Sequence, residues 1–134
     1  MLLMFLSAVV SLATLGSPEP TSYADAYRMA QLEGKPLMVV VSSDACPACV
    51  TLKSNTLAAM QNNGELADVR IAVVNKDHDP RLASRLMRGR MIPQIIVFSE
   101  TNSGWKRMQL TGYQTQDGVR ALIRKALNLT RPKI

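Results

Sequence analysis

Hydrophobic and polar positions divide the chain into an apolar leader and a mixed, periodic remainder. Leu2 to Leu15 is almost wholly apolar, broken only by Ser7, Ser11 and Thr14. That length suits the hydrophobic stretch of a signal peptide and falls short of the ~20 residues of a spanning helix. Gly16, Ser17, Pro18, Glu19 and Pro20 follow as a small, turn-prone stretch. No Lys or Arg precedes the run, no Ala-x-Ala site closes it, and a buried N-terminal helix is the alternative. Residues 1–17 are therefore expected to be a signal peptide or a hydrophobic anchor, 18–21 a linker, and 22–134 one domain.

Within 22–134 the pattern alternates between helical and strand periods. Ser22 with Asp25 resembles a capping box, opening a helix that buries Ala26, Met29 and Ala30 and stops at Gly34. Leu37 to Val41 is a continuous β-branched run, the mark of a strand buried on both faces. A helix is expected from Cys46 to about Met60, and Arg70 to Asn75 reads as a second strand. Pro80 starts a short helix with Leu82, Ala83, Leu86 and Met87 inward and Arg81, Arg85 and Arg88 outward. Ile95 to Phe98 is a third strand, and Trp105 to Leu110 returns after a turn at 101–104. Val119, Leu122, Ile123, Ala126 and Leu127 follow the helical period to the end. Alternating elements imply an α/β domain with a parallel sheet first and an antiparallel hairpin last.

Composition narrows the chemistry. The 134 residues fit one domain and are 47% hydrophobic and 19% charged, enough to fill a core. The net charge of +6 comes with one Trp, three Tyr and two Phe and no recognition motif, which argues against a nucleic-acid partner. Two Cys and a single His cannot complete a four-ligand Cys/His zinc site. No metal or organic cofactor is expected.

Cys46 and Cys49 stand three apart at the start of a predicted helix, directly after a buried strand. The free N–H groups and positive dipole end there stabilise a thiolate over a thiol. Cys46, at the mouth, should have the lowered pKa and attack a substrate disulfide. Cys49, one turn inside, should be more buried and attack the mixed disulfide to release product. Pro47 suits the first helical turn because no N–H is needed there. Covalent haem attachment is excluded because Val50, not His, follows the second cysteine. A redox-inert pair in a binding or scaffold module is the competing reading, and a copper-handling domain a third. A short-loop disulfide contributes little through chain entropy, which weighs against a purely structural bond.

The arrangement resembles the thioredoxin-like superfamily over about residues 22–130. The carriers are Ser42-Ser43-Asp44-Ala45-Cys46-Pro47-Ala48-Cys49 after a strand, Asn75 to Pro80 after the next, Met91-Ile92-Pro93 before the third, and Gly112. The resemblance implies a three-layer sandwich with a mixed sheet of about four core strands and flanking helices. It also implies that Pro93 is a cis proline facing the cysteines and that Ile92 offers its backbone to an extended substrate segment. Activity would be thiol–disulfide exchange with protein thiols or disulfides as substrates and a separate redox partner. The sequence departs from the family in several places. Ala45 stands where Trp is frequent, Val40 where many reductases bury an acid, Gln94 where Thr is common, and Pro47-Ala48 replaces Gly-Pro.

Remaining charges are assigned mainly to the surface. Arg81, Arg85, Arg88 and Arg90 read as a solvated face, with the sharper alternative that Arg88 or Arg90 supports the Cys46 thiolate. Asp44 opposes that thiolate, His78 is a surface turn residue, and Trp105 is a packing residue. The leader is expected to place the domain outside the cytosol, periplasmic or extracellular, with membrane contact only if the leader is retained.

Overall fold

The computed structural model describes residues 22–130. The leader, the linker before Ser22 and the basic C-terminal residues 131–133 lie outside the described residues. Four strands form one sheet in the order β2-β1-β3-β4. β1 (Leu37–Ser42) runs parallel to β2 (Arg70–Asn75), with Leu37 opposite Arg70 and Ser42 opposite Asn75. β3 (Gln94–Thr101) is antiparallel to β1, and β4 (Gly104–Thr111) is antiparallel to β3.

The expected parallel sheet therefore extends over β1 and β2 only. α4 (Pro80–Leu86), between β2 and β3, has 7 residues. At 1.5 Å per residue it advances about 10 Å, half the roughly 20 Å of a six-residue strand. The chain enters β3 at the end of the sheet where β2 leaves it, and so must run back antiparallel.

Helices cover both faces, giving three layers. On one face α1 (Tyr23–Glu33) and α4 bury Ala26, Ala30, Ala83 and Leu86 against Leu37, Val39, Val41 and Ile96. On the other, α2 (Pro47–Thr51), a π-helical stretch (Leu52–Leu57), α3 (Ala58–Asn62) and α5 (Gln116–Leu129) enclose Met38, Val40, Ile95 and Val97. All six residues of β1 are buried, which explains the apolar run over its first five. Each such aliphatic side chain contributes roughly 1.5–3 kcal/mol by leaving water.

Local signals explain the helix ends. The Ser22 side chain accepts the Asp25 N–H, and Gly34 closes α1 in the left-handed conformation at φ 66°. Two inward assignments need correction: Met29 is only half-buried, and Leu127 is exposed because it lies at the edge of the α5 stripe. The π turn was not foreseen. It widens the helix so that Leu52 and Leu57, five apart, are both buried. Trp105 packs against Tyr27 with ring centroids 5.9 Å apart, a packing role as expected.

Candidate active site

β1 ends at Ser42, and Ser43 to Ala45 carry the chain to Cys46, the N-cap of α2. Its backbone is extended, at φ −136° and ψ 94°, and its sulfur accepts the Cys49 N–H at 3.2 Å. Pro47 occupies the first turn, as the missing N–H allows. Cys46 and Cys49 are joined as a disulfide with Cα atoms 5.2 Å apart. Cys46 is 8% exposed and Cys49 0% exposed, so the first sulfur is the one nearer solvent.

A polar network on β2 and its following turn holds the approach to Cys46. The Asp44 N–H donates to Asp77 Oδ2 at 2.8 Å, and Asn75 Nδ2 donates to Asp44 Oδ1 at 2.8 Å. His78 Nε2 lies 3.0 Å from Asp44 Oδ2, and the Lys76 N–H reaches the Ser42 carbonyl at 2.8 Å. The Asn75 hydrogen bond, opposed by desolvation and aided by a weaker bond from His78, holds the Asp44 carboxyl below the usual carboxylate range. Asp44 is thus an anion whose charge is shared with these donors. His78 is a surface residue as expected, but with a specific partner.

Ile92 and Pro93 lie just ahead of β3. The β1–β3 register sets Gln94 opposite Val41, so Pro93 lies at the end of the sheet from which the chain proceeds to Cys46. The Ile92–Pro93 peptide is cis. The Pro93 carbonyl accepts the Gly112 N–H at 2.8 Å, and Gly112 supplies the φ of 87° that this close return requires. Among the described residues, Ile92 takes part in no backbone–backbone hydrogen bond outside the regular elements. Exposed Val50, Met91 and Tyr113 lie in the segments that follow or flank these positions.

The arginines are exposed, and the charge of Arg88 acts on Arg107 of β4. Desolvation, with Arg88 adding to it, lowers the Arg107 pKa, and the Arg107 guanidinium sits 5.8 Å from the Phe98 ring centroid. The hydrogen bond to the Cys46 sulfur comes from a backbone N–H, not from an arginine. Among the described residues no group of three or more His, Cys, Asp and Glu is placed to hold a metal ion. None of the described helices is long and apolar enough to cross a membrane.

Sequence reasoning missed two supports. One is the Asp44–Asn75–His78 network, whose only sequence signal is a run of turn-forming residues after a strand. The other is Gln94, a fully buried carboxamide at the head of an apolar strand. A polar residue in such a run signals a hydrogen-bonded role, because burial without partners is unfavourable.

Comparison with known proteins places this geometry. No curated protein matches the chain. Among solved structures, a thioredoxin from Thermus thermophilus superposes with a TM-score of 0.66 at 23% identity, covering 79% of this chain and 84% of that one. Fasciola hepatica thioredoxin gives 0.60 at 16% identity, covering 80% and 96%. Trxlp from Edwardsiella tarda EIB202 gives 0.59 at 23% identity, covering 84% and 97%. At these identities the likeness is one of fold. The model of the thioredoxin-like domain matches residues 23–127, and with the paired cysteines ahead of α2 it shows that the chain belongs to the thioredoxin-like family.

Proposed function

We propose that this protein exchanges thiols and disulfides with partner proteins, with Cys46 as the attacking and Cys49 as the resolving sulfur. The observation that carries the reading is the cysteine pair at the N-cap of α2, with Cys46 8% exposed and Cys49 fully buried. In the reduced state, the N–H of Cys49 and the adjoining helix end favour a Cys46 thiolate. That thiolate attacks one sulfur of a substrate disulfide, forming a mixed disulfide and expelling the other sulfur as a thiolate that takes up a proton. Cys49, deprotonated, attacks the Cys46 sulfur, releases the reduced substrate and closes the Cys46–Cys49 bond. Two electrons pass from the pair to the substrate, and the reverse sequence oxidises a dithiol.

Val40 is fully buried among apolar neighbours, so the proton of Cys49 leaves through water or substrate, not through a carboxylate at that place. Ile92 and Pro93 are proposed to bind the substrate segment by strand-like pairing to the free Ile92 backbone. The reading includes residues 1–17 as an export signal or anchor, which the intact mass of protein recovered from an exported fraction reports directly.

The test uses Cys49→Ser with insulin as disulfide substrate. A covalent adduct at Cys46, released by dithiothreitol and absent in Cys46→Ser, is expected. Equal adduct in both variants, or none with either, contradicts the assignment. The reduction potential then sets direction: a value near about −270 mV marks a reductant and one near about −120 mV an oxidant.

A further inference from the structure

The loop from Arg88 to Ile92 leads into the Pro93 turn, yet its backbone makes no backbone–backbone hydrogen bond outside the regular elements. A side chain holds it instead. Gln94 Nε2 donates to the carbonyls of Arg88 at 2.9 Å, Met91 at 3.0 Å and Gly89 at 3.4 Å. Its Oε1 accepts the Arg88 N–H at 3.2 Å. The same side chain is 0% exposed, so its geometry is fixed by packing as well as by partners. Gln109 on β4 adds a longer bond, 3.3 Å, to the Arg88 carbonyl.

The consequence lies at the far side of the loop. With its carbonyls drawn inward to Gln94, the loop leaves the Met91 side chain 64% exposed and the Ile92 backbone without an internal partner. The Met91 sulfur lies over Gly112, 3.8 Å from where a Cβ would stand there. The outer edge is therefore apolar at one residue and open to main-chain hydrogen bonding at the next. An extended polypeptide can use both features, and a small disulfide has no backbone to pair with the second.

We propose that Gln94 is a positioning residue. It fixes the Met91–Ile92 edge in the orientation that receives an extended segment of substrate, and so selects disulfides embedded in polypeptide over small ones. This rests on the exchange reading above. Gln94 touches no reacting atom; it acts through the loop.

Gln94→Met keeps the volume and removes all four hydrogen bonds. The measurement is the second-order rate constant of the reduced full-length protein with insulin, divided by that with 2,2′-dithiodipyridine. Loss of a preorganised docking edge is expected to lower this ratio about tenfold, since small misplacements of a positioning group cost rates of this order. An unchanged ratio overturns the inference, even if both rates fall together as a general loss of structure would cause. If Gln94→Met does not fold, Gln109→Met, which removes one bond to the same loop, is expected to lower the ratio about twofold to threefold, and an unchanged ratio there overturns the inference equally. A wild-type protein inert towards both disulfides removes the exchange reading itself, a result distinct from an active wild type with an unaltered ratio.

Discussion

Two loops frame the candidate site, and they are held in opposite ways. The Ser43–Ala45 approach to Cys46 is tied by side chains at the surface, with Asp44 and His78 side chains 63% and 70% exposed. The Arg88–Ile92 loop is tied from within by one uncharged, buried carboxamide. Exposed charged contacts compete with water and are screened by salt, so each contributes little. A buried carboxamide is shielded from that competition, and removing it costs the loop four part-buried hydrogen bonds at once. The first loop should therefore be adjustable and acid-sensitive, and the second rigid and indifferent to pH.

The largest expected effect separates the two. Gln94→Met should destabilise the fold by about 2–3 kcal/mol through the loss of four hydrogen bonds to the loop. Urea titrations at pH 7 and pH 5 should give the same loss, because no charge is involved. A loss that changes markedly between these conditions would break the contrast.

Gly112→Ala probes the contact between the Pro93 turn and β4. At φ 87° a Cβ is strained, and about 1–2 kcal/mol is expected from this alone. Thermal or urea unfolding checks it. A neutral result would mean the turn relaxes to accept the side chain.

Asp44→Asn should be milder, lowering the melting temperature by about 2 °C or less at pH 7, as exposed pairs usually do. High salt should shrink the difference further. A drop as large as that of Gln94→Met would invert the comparison.

Acid titration gives the smallest and most selective effect. Hydrogen bonds from Asn75 and His78 lower the Asp44 pKa in the folded state, so protons bind the unfolded state more readily. Its contribution is complete above the unfolded value, about 4, and fades as pH falls through the lower folded value. Glu33, held down chiefly by Arg70, and Glu65, held down chiefly by Arg120, act in the same direction. Melting temperatures below about pH 4 should fall more steeply for wild type than for Asp44→Asn. Parallel curves would remove Asp44 from the acid response.

Legibility in the sequence follows the same divide between repeated and singular features. β1 was readable because burial on both faces leaves only apolar residues, and α5 because its inward positions recur at the helical period. Cys46 and Cys49 were singled out by their place after a strand, Ile92 and Pro93 by the family resemblance, and the structure sets both pairs at one end of the sheet. The antiparallel entry of β3 was not, since it depends on how far a short helix carries the chain. The π turn depends on tertiary packing of Leu52 and Leu57, which local periodicity does not encode. The Gln94 brace joins one side chain to backbone atoms of a loop, and backbone atoms leave no mark in a sequence.

The central claim is that Cys46 is an ionised nucleophile at neutral pH. The most direct measurement is the rate of iodoacetamide alkylation of reduced Cys49→Ser as a function of pH. The midpoint should fall well below the free-cysteine value of about 8.5, at roughly 7 or lower. A midpoint at or above about 8.5 would contradict it.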